Sequence, residues 1–146
     1  MLGLALYFVV FLHLVSAVLW MGGIIFILFV AIPASKEAMG TEAGKIMGAV
    51  SRRFSPLANY SILLLIVTGI SLTLLRYGIY ASTPFYLKTA LAVTMIAVHF
   101  YRGLILAPKI ARSEPQDKAP LQKLSLDMVK LNFALGLAIL FFATMF

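Results

Sequence analysis

The sequence predicts an all-α integral membrane protein: a bundle of four transmembrane helices, with a short amphipathic interfacial helix between spans 1 and 2. Three observations carry this. First, 62% of the 146 residues are hydrophobic and only 12% are charged, and the mean hydropathy is +1.03. Soluble domains are about 45–50% apolar and about 25% charged, and intrinsic disorder needs the opposite composition. Second, the apolar residues gather in stretches of about the 20 residues that a span requires, so four spans and their connections use up the chain. Third, the basic residues lie between those stretches. The chain therefore reads as a single transmembrane domain over 1–146, with spans at about 2–33, 57–76, 85–106 and 129–146.

The first apolar run extends from Leu2 to Pro33. It has no basic n-region and outruns a signal's h-region of about 7–15 residues, so it reads as a retained span. As a helix it would be about 48 Å long against a hydrocarbon core of about 30 Å. It must tilt, kink near Gly22-Gly23, or project from the bilayer. Pro33 is expected to end it.

Residues 34–55 form the first connection. Within it, Ala43, Ile46, Met47, Val50 and Phe54 recur at helical spacing, while Lys45, Arg52 and Arg53 fall elsewhere on the wheel. This pattern predicts a short helix lying on the membrane surface. Gly40, Gly44 and Gly48 either admit a close neighbouring helix or belong to a flexible loop. Ser55-Pro56 reads as an N-cap with proline at N1, opening the second span. The uncharged segment Tyr77–Pro84 leads to the third span, which carries Lys88 near its start and Arg102 near its end, with Pro108 beyond. A charged connection with Pro115 and Pro120 follows. The last helix is expected from about Leu121, amphipathic at first and apolar from Leu131.

The net charge is +7. In a soluble chain this suggests nucleic acid; here the positive-inside rule explains it, and no nucleic-acid partner is expected. Lys36, Lys45, Arg52 and Arg53 mark the first connection, and Lys109, Arg112, Lys118 and Lys123 the third. Both connections are expected on the cytoplasmic side of a prokaryotic cytoplasmic membrane, with the N- and C-termini outside. The absence of cysteine removes disulfides, thiolate metal sites and c-type haem attachment.

The chain has two histidines, His13 and His99, and both fall in spans. Imidazole in hydrocarbon is costly, and it is a common ligand for haem iron, copper or zinc. The alternative is a hydrogen bond between helices. Lys88 and His99, eleven residues apart, share a helix face with Arg102 and form a polar seam expected to face the bundle interior. His13, Ser16 and Trp20 share a face of the first helix, where Trp20 reads first as ordinary packing or an interface anchor. Lys88 and Arg76 either snorkel to headgroups or pair with an anionic group such as a haem propionate. Centred on their runs, His13 lies about 13 Å outward of His99 in depth. A shared iron then requires the first helix to be displaced outward. No carboxylate lies in a span core, and no HExxH, P-loop or GxGxxG is present. The seven methionines form no MxxM or MxM cluster and read as adaptable packing.

The stretch HLVSAVLWMGGIIFILFVAIPA resembles the opening helix of the copper-resistance protein D (CopD-like) membrane family, in its histidine, Trp-x-Gly-Gly and proline. It is also similar to the haem-binding membrane type of protoporphyrinogen oxidase. RRFSPLANYSILLLIVTGI resembles the second span of both groups. YLKTALAVTMIAVHFYRG resembles the oxidase group in its lysine and the histidine that follows. The Arg-x-x-Asn-Glu-x-Pro signature of that group is absent from LSLDMVKLNFALG. The resemblance implies His13 as a haem ligand, Lys88 as the polar residue opening helix three, and His99 as a second ligand or site residue.

The first expectation is thus a b-type haem protein of electron transfer. His13 and His99 are its metal ligands, and Lys88, Arg76 and Trp20 line the cofactor. Its partner is quinone or a tetrapyrrole, and protoporphyrinogen oxidase-like activity is included. The alternatives are a CopD-like copper transport or resistance protein, and a non-catalytic membrane subunit associated with a membrane protein partner or a second copy of itself.

Overall fold

A computed structural model describes residues 2–37, 41–76 and 82–145. Among them there are helices and no strand: α1 (Leu2–Phe26), α2 (Ile32–Glu37), α3 (Thr41–Leu75), α4 (Thr83–Tyr101), α5 (Ala107–Arg112) and α6 (Pro115–Ala143). Wide π-helical turns at Ile27–Ala31 and Arg102–Leu106 join α1 to α2 and α4 to α5. Four helical stretches are long and apolar enough to cross a membrane: Gly3–Glu37, Glu42–Leu75, Thr83–Arg112 and Pro115–Ala143. The expected fold class holds. The chain divides into two compact units, Met1–Ala81 and Ser82–Phe146, and each is a helical hairpin.

Several boundaries differ from those read in the sequence, and proline is the common reason. Pro33 and Pro108 do not end their helices. A proline inside an α-helix lacks a donor and presses its ring on the carbonyl four residues back. In both places a π turn comes just before it. Ile32 donates its N–H to Ile27 O and Ala107 to Arg102 O, five residues back rather than four. The widened turn gives the ring room, and the chain continues as helix. The interruption in the first run therefore lies at Ile27–Ala31, not at Gly22-Gly23, which stays within regular α1.

The amphipathic segment over 43–54 is helical, but it is not separate from the second span. It runs unbroken through Ser55-Pro56 into α3, with Pro56 inside the helix. The carbonyl that loses its donor belongs to Arg52, an exposed residue whose backbone other polar groups can reach. At 35 residues, α3 is about 52 Å long, so its charged first turns extend beyond a hydrocarbon core. Exposed Glu42 and Lys45 pair there at 2.8 Å. A Cβ at Gly44 would meet nothing within 4 Å, and one at Gly48 only the end of Arg52's side chain. No other helix among the described residues comes that close to either glycine, and Gly40 lies outside the described residues. The last helix begins at Pro115, earlier than expected, because proline suits the first helical turn and Pro120 follows while the chain is still polar. Of the uncharged segment Tyr77–Pro84, residues 77–81 lie outside the described residues.

The first hairpin packs α1 on α3 along small and hydroxyl-bearing residues. Ser16, Trp20, Ile24, Ile27 and Ala31 are buried on one side, and Ala58, Ser61, Ile62 and Thr68 on the other. The close approach centres on Gly23, where the Phe54 ring occupies the space that a side chain would fill. Close backbone approach at small residues is how helices associate where no hydrophobic force acts between them. Ser16 donates to Leu12 O and Ser61 to Leu57 O, each at 2.8 Å, so each hydroxyl is satisfied by its own helix. Phe8, Phe11, Leu14, Val18, Leu63, Val67 and Ile70 form an apolar face that this hairpin leaves exposed.

In the second hairpin, α4 packs on α6. Met95 and His99 on α4 and Leu106 in the π turn are buried, as are Val129, Asn132 and Gly136 on α6. The tight connection at Ser113-Glu114 makes the two runs antiparallel.

Candidate functional site

His13 sits on α1 and faces α3. Its Nδ1 lies 2.8 Å from Thr68 Oγ1. Thr68 is buried, and its hydroxyl lies 2.5 Å from Leu64 O, one helical turn back. A hydroxyl has one proton to give. With that proton committed to Leu64 O, Thr68 accepts from His13, so the imidazole proton is on Nδ1 and the lone pair on Nε2. Gly69 completes the setting: a Cβ there would lie 3.6 Å from His13 Cε1. This is the arrangement in which a ligating histidine is usually held, one nitrogen donating to a fixed acceptor and the other turned to a metal. It is also the interhelical hydrogen bond that the sequence admits as an alternative.

Trp20 is buried at 4% exposure beside Ser16 at 1%. Of its two ordinary readings, packing is the one realised, since an interface anchor would be exposed at the hairpin surface. Arg76 directly follows α3 and is exposed.

The second hairpin carries the polar seam expected from the Lys88–His99 spacing. Lys88 is half-buried with its Nζ 5.8 Å from the Phe85 ring centroid, a cation–π contact. His99 is buried at 6% exposure, its ring edge-on to Phe100 at 5.3 Å. Arg102 is half-buried at the start of the wide turn. His13 therefore belongs to the first hairpin, and Lys88, His99 and Arg102 to the second.

Three buried positions were not singled out by sequence reasoning. Thr68 is one of many hydroxyls in apolar helices. Met95 stands four residues before His99 on the same face, a spacing that a search for adjacent methionines overlooks. Asn132, within LSLDMVKLNFALG, is buried at 4% exposure, and its Oδ1 has no hydrogen-bond partner among the described residues. No group of three or more His, Cys, Asp or Glu placed to hold a metal occurs among the described residues. Thioether and amide side chains are further donors that the spans offer.

A protein-family model, copper resistance protein D, matches residues 48–146. The match takes in the whole second hairpin and the part of α3 that bears Thr68, and it begins after the helix of His13. Neither the curated proteins nor the solved structures contain a match to this chain. The family match favours the copper alternative of the sequence analysis over haem b, quinone or tetrapyrrole chemistry.

Proposed function

This chain belongs to the copper resistance protein D family, and on that premise we propose that it handles copper within the membrane, as a copper transport or resistance protein. The family match is the observation that carries the reading. The chemistry inside the spans supports it. Cu(I) prefers soft sulfur and imidazole ligands to carboxylates. The spans offer two imidazoles and several thioethers, all neutral ligands whose burial carries no Born cost of their own. His13, held against Thr68 at 2.8 Å, is one such imidazole. The basic connections face the cytoplasm in this reading, with both termini outside.

The test is growth and copper content in cells expressing the full chain. Expression of the wild type should change copper tolerance, and His13→Ala and His99→Ala should each reduce that effect. Unchanged copper accumulation in both variants removes copper from these residues.

The His13–Thr68 hydrogen bond favours a second reading, a non-catalytic membrane subunit in which histidine only joins helices. That reading expects His13→Ala to lower stability slightly while leaving copper tolerance and partner binding as in the wild type.

A further inference from the structure

We infer that the second hairpin contains a Cu(I) site built from Met95 and His99 on α4 and Met128 and Asn132 on α6. The inference rests on the copper reading above and names the side chains that would realise it.

The placement follows from the backbone. Met95 and His99 are four residues apart on one helix, so their Cβ atoms are about 5–6 Å apart on one face. Both are buried, at 2% and 6% exposure. Met128 and Asn132 repeat this spacing on α6, the first half-buried and the second buried. The hairpin turns at Ser113-Glu114. Met95 stands 18 residues before Ser113, and Asn132 stands 18 after Glu114. His99 stands 14 before, and Met128 stands 14 after. In antiparallel helices, residues equidistant from the turn lie nearly level, here to within about one residue's rise because the π turn at Arg102–Leu106 shortens the first arm slightly. Met95 is thus nearly level with Asn132, and His99 with Met128. Packed helices lie about 8–10 Å apart axis to axis, within reach of long thioether side chains from both sides. Gly136 is buried one turn beyond Asn132.

The second observation is the Asn132 amide. An amide oxygen taken out of water without a partner costs about 1–3 kcal/mol on protein scales, and Oδ1 of Asn132 is in that position. A cation supplies what the oxygen lacks. Two thioethers, one imidazole and one amide oxygen form a neutral, mostly soft set. That set suits Cu(I) and offers little to Mg²⁺ or Ca²⁺, which need several oxygen ligands. Arg102, one turn beyond His99, weighs twice as heavily against a divalent ion as against a monovalent one. All four residues lie within the matched range 48–146.

The experiment uses the purified full chain in lipid nanodiscs, titrated anaerobically with Cu(I) against a competing chelator and examined by copper X-ray absorption. It is paired with copper content in cells expressing the same chains. The wild type should show sulfur and nitrogen scatterers. Met95→Leu and Met128→Leu, swaps that conserve volume, should each lower affinity roughly tenfold or more and remove sulfur scattering stepwise. His99→Gln should remove the nitrogen shell. Undiminished sulfur scattering and affinity in the Met95→Leu/Met128→Leu chain, with cellular copper still altered by the wild type, overturn the site and leave the copper reading standing. A wild-type chain that leaves cellular copper unchanged overturns the reading itself.

Discussion

His13 Nδ1 and Thr68 Oγ1 lie 2.8 Å apart, a hydrogen bond that joins two helices across 55 positions of sequence. Thr68 can accept because its own proton goes to Leu64 O. One hydroxyl thereby sets both the pairing of α1 with α3 and the tautomer of the imidazole.

Replacing Thr68 with valine keeps the shape and removes the acceptor. The hairpin should lose about 1 kcal/mol, in line with interhelical hydrogen bonds in membranes, while Thr68→Ser should lose little. Unfolding equilibria of the two variants in mixed micelles measure the difference. If His13 binds copper, Thr68→Val should also weaken Cu(I) affinity about 10–100-fold, the usual loss when a ligating histidine is freed from its acceptor.

At Gly23 the prediction is steric. A methyl group there would collide with the Phe54 ring, and overpacking of this kind costs about 1–3 kcal/mol. Gly23→Ala should destabilise the first hairpin, and Gly23→Ala/Phe54→Leu should recover part of the loss. A double-mutant cycle on unfolding in micelles should show coupling of at least about 0.5 kcal/mol; strict additivity would place the Phe54 ring elsewhere.

Asn132 should separate stability from function. Asn132→Leu removes a buried amide whose oxygen has no partner among the described residues and should leave the hairpin as stable or more so, by about 1–2 kcal/mol. The same change should weaken Cu(I) binding by the full chain. Thermal unfolding and chelator competition on one preparation test both halves.

Orientation can be tested on a chain free of native cysteine. Cysteine introduced at exposed Lys45 or at Lys123 should react with an impermeant maleimide only from the cytoplasmic face, as the distribution of Lys and Arg requires. Labelling of either from outside the cell would reverse the topology.

The sequence made the architecture legible because the bilayer imposes it. Long apolar runs have to be spans, and helices are the economical way to satisfy their backbone. What local patterns could not convey was how the backbone copes with its prolines. Pro33, Pro56 and Pro108 each read as a helix boundary, yet each lies inside a continuous helical run. The π turns at Ile27–Ala31 and Arg102–Leu106 absorb two of them, and periodicity carries no sign of such turns. The histidines stood out by their cost in hydrocarbon. Their surroundings did not, because Thr68 and Asn132 gain meaning only from the pairing of helices distant in sequence. Lys88, His99 and Arg102 share a face because helical phase alone fixes their relative direction.

The most direct test of the account is Cu(I) uptake by the purified full chain in nanodiscs. The wild type should bind Cu(I) stoichiometrically, and the His13→Ala/His99→Ala chain, still folded by circular dichroism, should lose that binding. Equal Cu(I) uptake by the two chains, or none by either, would contradict it.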